Sequence, residues 1–474
     1  MLVSHKKITL ILLFLTFILR GGLQAQEVVK MTLDEAIAYA LQNSTSIKSS
    51  LLNVKDADLL IRENKTSALP KVNAEVNLQH FVLQPGVPAS ALGFGNDPVT
   101  RASNEYTMAR FKAIEEKVGI TATPFIAPAS DGKLKFQLKN NFNGGVTVNQ
   151  LLFSGSYPLA VRGSNYYRDL VNVQSSKKQD SLKNVVIDAY LPTLLIDESI
   201  KTLDKNIQNL EKNFADVKAT YKAGFIEQLD VDRLEFSINN LKAQKDNLIR
   251  QREIPLNALK LTINFPLENK LELNDDINSL LKPFSEAELA EAVDYQNRFE
   301  IKELNATKKL VELNVELVRS TRLPTVVAFG NYQYSFQGNQ FSNLFGVAAA
   351  LVGIKATYPI YDSNERKIKT QRAILSLEQF NLVRGDIERV ITFQVNNSRI
   401  AIVNAQKNLE NQQKNLALAE KIYNVTQKKY KEGVGSSLEL TTAERDIYAA
   451  QQNVRQAQYD LLVAQRSLRK ALGK

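Results

Sequence analysis

The sequence predicts a mixed α and β membrane protein with an internal duplication. Long antiparallel α-helical coiled coils accompany four β-strands per chain, which contribute to a transmembrane β-barrel shared between copies. Three observations predict this. Motifs recur in the same order in both halves, long stretches carry coiled-coil periodicity, and short segments alternate polar and apolar residues.

The N-terminus reads as a secretory signal peptide, residues 1–25. A basic stretch, His5-Lys6-Lys7, precedes an apolar run from Ile8 to Leu19, and Leu23-Gln24-Ala25 offers a small residue for cleavage before Gln26. The apolar run is shorter than the roughly 20 residues that a spanning helix needs. No other stretch is apolar enough, so a membrane-embedded chain has to cross as a closed barrel, where every backbone group finds a partner. There is no cysteine, which excludes disulfides, thiol chemistry and a lipidated N-terminal cysteine. The net charge is +10; Lys6, Lys7 and Arg20 fall in the leader, leaving +7 for the remainder. Acids and bases are interspersed without a basic tract, which reads as a solvated surface and argues against nucleic acid as a partner.

The duplication is visible before any fold is assumed. Gln42-Asn43, Ile47-Lys48 and Leu69-Pro70 recur 254 residues later as Gln296-Asn297, Ile301-Lys302 and Leu323-Pro324. Tyr221-Lys222-Ala223-Gly224 recurs 209 residues later as Tyr430-Lys431-Glu432-Gly433, and Leu229-Asp230-Val231 as Leu438-Glu439-Leu440. The fall in offset, about 46 residues, places an insertion in the first half, expected as a surface loop over 82–132. The expected plan is a first repeat at 26–253, with strands at about 71–81 and 133–153 and a helical hairpin at about 160–253. A connection follows at 254–283. The second repeat, 284–474, has strands at about 325–337 and 346–361 and a hairpin at about 364–472.

The last segment carries the strongest periodicity. Leu440, Ala443, Ile447, Ala450, Val454, Ala457, Leu461, Ala464, Leu468 and Ala471 step by three and four without a miss, which is a coiled-coil seam. Val231, Leu234, Ile238, Leu241 and Leu248 echo it, with Lys245 interrupting. Residues 366–430 hold no proline and one glycine, Gly385, so a continuous helix there runs roughly 97 Å. The matching stretch 161–221 contains Pro192, where a kink or break is expected.

Alternation marks the strands. Val72, Ala74, Val76 and Leu78 oppose Asn73, Glu75, Asn77 and Gln79. Tyr332, Tyr334 and Phe336 oppose Asn331, Gln333 and Ser335. Leu134, Phe136 and Leu138 alternate with lysines and Gln137. A soluble sheet with one wet face has the same period. Aromatics beside a polar face in an exported chain favour a membrane barrel. Outer-membrane barrels begin at about eight strands, so four per chain imply several subunits in one barrel.

At this point the chain resembles the TolC-like outer membrane efflux protein family over nearly its whole length after the leader. The motifs are Leu33-Asp34-Glu35-Ala36-Ile37, the two Leu-Pro pairs, Gln150-Leu151-Leu152-Phe153-Ser154-Gly155, the two Tyr-x-x-Gly turns and the closing Ala471-Leu472-Gly473. The resemblance implies a homotrimer with a twelve-stranded barrel in the bacterial outer membrane and a helical tunnel in the periplasm. It also implies a periplasmic adaptor protein and an inner-membrane transporter as partners, with outer-membrane lipid around the barrel. The Tyr-x-x-Gly turns would sit at the periplasmic tip. By position, Glu439 matches an acidic ring that lines the pore constriction, and Thr442 matches a second ring position where a family example carries another acid. Tyr430 and Asp230 match a link that holds the inner coiled coil against the outer one; Gly435 stands where that link has a basic residue. Read by their chemistry alone, Gly224 and Gly433 are helix terminators, and Glu439 is an exposed carboxylate near a helix N-terminus.

His80 is the only histidine outside the leader and makes a poor metal site alone. Neither Asp275-Asp276 nor Glu115-Glu116 has an evident cleft. No triad, phosphate loop or zinc spacing is present, so no cofactor, no metal and no enzymatic activity are expected. The function expected is the outer-membrane channel of a tripartite efflux system for small molecules. The exit duct of a type I protein secretion system shares the same architecture, and a soluble periplasmic coiled-coil scaffold is a third reading.

Overall fold

The computed structural model describes residues 28–88, 98–119, 133–135, 137–281 and 289–474. The expected leader lies outside them, as do residues 89–97 and 120–132 of the expected insertion. In chain order the elements are β1 (Val29–Met31), α1 (Leu33–Asn43), α2 (Thr45–Thr66), β2 (Lys71–His80), β3 (Gly86–Pro88), α3 (Pro98–Val118), β4 (Lys133–Lys135), β5 (Asn140–Ser154), α4 (Tyr157–Lys222), α5 (Gln228–Ile263), β6 (Leu271–Leu273), α6 (Ile277–Leu280), α7 (Phe299–Ser320), β7 (Thr325–Gly338), β8 (Phe345–Thr357), α8 (Glu365–Lys431) and α9 (Ser437–Leu472). The chain forms two units. A helical one comprises Met1–Ile61, Arg162–Glu316 and Lys369–Lys474; a strand-bearing one comprises Arg62–Val161 and Leu317–Ile368.

In the strand-bearing unit, a four-stranded sheet has the order β2-β5-β7-β8, antiparallel throughout. Register, more than alternation alone, sets its two faces. Asn73 pairs with Thr147 and that with Asn331; Glu75 pairs with Gly145 and that with Gln333; Asn77 pairs with Asn143 and that with Ser335. Residues directly opposite share a face, so these rows stack into one polar surface, where Asn331 Nδ2 donates to Thr147 Oγ1 at 3.0 Å. The other face stacks Val72 with Val148, Ala74 with Val146 and Tyr332, and Leu78 with Phe142 and Phe336. β8 departs from the pattern: Val347, Ala349 and Leu351 pair onto the polar face.

Gly155, at the end of the Gln150–Gly155 motif, has a packing reason. A Cβ there would lie 2.8 Å from Leu323 Cβ and 2.9 Å from the Ser320 carbonyl oxygen. Only glycine lets the strand exit pass the Leu323-Pro324 corner, so two motifs of the resemblance meet in space.

Two sequence expectations are corrected in this unit. Residues 133–153 are not one strand: β4 pairs with β3, and β5 starts only at Asn140. The ladder ends because β2 stops at His80, leaving Phe81 N donating to the Lys139 carbonyl at 2.8 Å as its last rung. The insertion is also more than a loop. α3 has Pro98 at its first position, where the missing N–H is harmless, then good helix formers such as Ala102, Met108, Ala109 and Arg110, and ends before Gly119.

The helical unit is built on two hairpins, α4–α5 and α8–α9. All ten seam residues of α9 from Leu440 to Ala471 are buried, as are Val231, Leu234, Ile238 and Leu241 of α5. Lys245, which interrupts the α5 seam, turns aside to pair with Asp204 at 2.6 Å. Pro192 neither ends nor breaks α4, and α5 runs on through Pro255 to Ile263, ten residues beyond the expected end. An interior proline costs about 3 kcal/mol. Beside Pro192, Tyr190, Leu191 and Leu194 are buried; beside Pro255, Leu256, Leu259 and Ile263 are buried. At about 1.5–3 kcal/mol per buried apolar side chain, packing outweighs each proline.

These residues join Met31, Ala36, Ala40, Phe265, Leu271 and Ile277 in one core cluster. Here β1 and β6 pair in parallel, a feature too short to show as periodicity. The opening motif is a helix start: Thr32 and Glu35 form a reciprocal capping box, and the hydrogen bond from the Thr32 backbone N–H lowers the Glu35 carboxyl pKa. Asp275 accepts from Leu33 N at 2.7 Å and from the Tyr190 hydroxyl at 2.8 Å, while Asp276 caps α6. That acidic pair is structural.

Candidate functional site

Two places in the fold present chemistry: the sheet and the hairpin turns. On the sheet, the apolar face is solvent-exposed in the protomer, with Val72, Val76 and Leu78 each about two-thirds accessible. Among the described residues β2 and β8 pair on one side only, so each leaves a row of backbone N–H and C=O groups open. A long free edge beside an exposed apolar face suits closure with further strands in a lipid environment. His80 closes one end, with Nδ1 2.6 Å from Asn140 Oδ1 and its ring stacked on Phe341.

The turns between the paired helices have one geometry in both repeats. Gly224 has φ +79 and Gly433 φ +73, the left-handed region that glycine adopts freely. Gly224 N donates to the Tyr221 carbonyl at 2.8 Å and Phe225 N to the Thr220 carbonyl at 3.2 Å. Gly433 N donates to the Tyr430 carbonyl at 3.1 Å and Val434 N to the Lys429 carbonyl at 3.0 Å. Each Tyr-x-x-Gly is thus a helix C-terminal cap. α9 restarts at Ser436, whose Oγ accepts from Glu439 N at 3.2 Å.

Glu439 and Thr442 are both exposed on α9, and Thr442 Oγ1 donates back to the Leu438 carbonyl at 2.8 Å. Tyr430 is half-buried against the cluster of Leu210, Val217, Val231 and Leu234. Burial raises its pKa, and the nearby Asp230 carboxylate adds to that. Within the protomer these two side chains are electrostatic neighbours without a hydrogen bond between them. The bond joining the first turns of α5 and α9 is instead Arg233 Nη1 to Ser437 Oγ, at 2.7 Å with Ser437 buried. Sequence reasoning missed it, since Arg233 reads as an ordinary charge on a helix.

It also missed Glu444. This residue is 1 % exposed, and both carboxylate oxygens lack a hydrogen-bond partner. Desolvation pushes its carboxyl up to about 7. Its signal in the sequence is a carboxylate between Leu440 and Tyr448, one helical turn away on either side.

A sheet with one polar face, one apolar face and two edges free among the described residues, in a chain with long helical hairpins, is a fold shared with solved outer-membrane channels. Three solved structures carry it. CusC, described in terms of folding and transmembrane channel formation, is 16% identical with a TM-score of 0.65, covering 94% of this chain and 92% of its own. The outer membrane protein VceC from Vibrio cholerae is 14% identical with a TM-score of 0.63, covering 93% and 96%. The Neisseria gonorrhoeae MtrE outer membrane channel is 19% identical with a TM-score of 0.61, covering 93% and 88%. No curated protein sequence matches the chain. Residues 295–474 match the family model described as outer membrane efflux protein.

Proposed function

We propose that this chain is the outer-membrane channel subunit of a tripartite efflux system, a passive conduit for small molecules that assembles as a homotrimer. The observation that carries this reading is the open sheet: four strands with both edges unpaired and an exposed apolar face. Three copies supply twelve strands, enough to close a barrel. An exposed apolar stripe on α8, including Leu375, Leu382, Phe393 and Ile400, supports packing against neighbouring copies. The barrel lies in the bacterial outer membrane and the helical hairpins in the periplasm, where a periplasmic adaptor protein and an inner-membrane transporter dock. Among the described residues no helix is long and apolar enough to cross a membrane. The expected readout is a trimer by native mass measurement in detergent that conducts in planar bilayers. A stable monomer with full sheet content sinks the reading.

Within this reading Glu439 and Thr442 line the constriction, and the capped turns at Gly224 and Gly433 form the tip with Tyr430 and Asp230. Three Glu439 carboxylates at one radius attract cations. Glu439→Gln therefore lowers cation preference, read as a shift of the reversal potential under a salt gradient. An unchanged potential takes Glu439 out of the pore wall.

A further inference from the structure

Glu444 is a costly residue to bury. A carboxylate stripped of water with no hydrogen-bond partner is strongly disfavoured, and its neutral form is what such a site admits. It lies where three long helices meet. From α8, Tyr423 and Tyr430 face it; on its own helix, Tyr448 lies one turn on; from α5 come Ser237, Asn240 and Leu241, which line a cavity of about 310 Å³ with it. Burial raises the pKa of all three tyrosines, so they remain neutral at ordinary pH. Tyr423 is already engaged by Asn213 of α4 at 3.4 Å and Gln427 at 3.1 Å. Other charged groups nearby are Arg445, exposed at the rim of the cavity, and Asp230, Asp216 and Lys431 around Tyr430. None is bonded to Glu444, and neither aspartate favours a second negative charge.

We propose that Glu444 is a proton-operated latch on this helix junction, neutral when α9 is packed against α5 and α8 near the turns and ionised when they part. The sign follows from solvation. In the parted state the carboxyl meets water and titrates near its ordinary value of 4.5, whereas in the packed state it holds its proton to about 7. The packed state therefore has its full advantage below 4.5, loses it progressively as pH rises through 7, and loses nothing more above that. Over that window the ratio of parted to packed states rises on the order of a hundredfold.

The latch is independent of the transported compound, but it rests on the channel reading where conductance is concerned. The test uses the full-length protein in detergent from pH 4.5 to 8. Hydrogen exchange of residues 437–450, corrected for intrinsic rates, rises through this range in the wild type and stays flat in Glu444→Gln, which is fixed neutral. Infrared titration of the wild type shows a protonated carboxyl that persists above pH 5.5. Equal exchange profiles in the two proteins, or no carboxyl titrating above 5.5, overturns the latch. Bilayer conductance of the same samples separates the two ideas: a wild type that never conducts overturns the channel reading, while exchange and infrared decide the latch by themselves.

Discussion

Arg298→Ala lowers unfolding stability by about 2–4 kcal/mol, the cost of unmaking buried charge-assisted hydrogen bonds together with the packing of the arginine stem. The Arg298 side chain is 6% accessible. Its guanidinium donates to the Lys470 carbonyl at the end of α9, to Gln394 Oε1 of α8 at 3.2 Å, and to Glu300 Oε1 at 3.0 Å. One side chain thus ties the start of α7 to the final turn of α9 and to the middle of α8. Alanine leaves the Gln394 amide oxygen without its donor and opens a cavity where the stem lay. Arg298→Met restores the stem and separates the two contributions, with an expected loss nearer the 1–3 kcal/mol of unmade hydrogen bonds. Chaotrope unfolding in detergent, followed by helical circular dichroism, reads both. A loss below 1 kcal/mol for alanine would show that the guanidinium is a bystander.

Tyr190→Ala has an effect of similar size, about 3–5 kcal/mol, for a different reason. Tyr190 is fully buried in the cluster that joins β1, α1, α4 and α5, so its ring leaves a void. Its hydroxyl bonds Asp275 at 2.8 Å and the Met31 carbonyl at 3.2 Å. Burial and the Asp275 carboxylate push its pKa far above the usual range, so the contact is intact across all physiological pH. Tyr190→Phe keeps the ring and removes only the hydroxyl. Asp275 retains the Leu33 N–H, so the expected loss is about 1–3 kcal/mol. If phenylalanine proves as damaging as alanine, the hydrogen bonds and not the ring hold this core together.

Much of the helical unit was legible because one physical signal repeats over many turns. Ten seam positions of α9 step correctly and ten are buried. The same reasoning failed over a break at Pro192 and over the end of α5, expected at about 253, because local propensity says nothing about what the neighbouring residues bury. It failed again at α3, where helix-forming residues were passed over for want of a counterpart in the second repeat. β1 and β6 were invisible at three residues each, since their pairing is 242 residues apart in sequence.

The candidate positions divide in the same way. Glu439 was singled out only by the resemblance, whereas Gly224 and Gly433 were readable as helix caps because a left-handed cap demands glycine in either repeat. Arg233, Ser437 and Glu444 were not, because charge and hydroxyl groups on a helix read as solvated until a second helix covers them.

By itself, then, the sequence determined the duplication, the coiled-coil seams, the two-faced strands and the glycine caps. Each depends on a period or a backbone constraint local to the chain. Tertiary structure alone decided which carboxylate is stripped of water, which arginine clamps the last helix, and which sheet edges stay open. Those depend on what packs against a residue from hundreds of positions away, and burial by a distant segment leaves no mark on the residue's own neighbours in sequence.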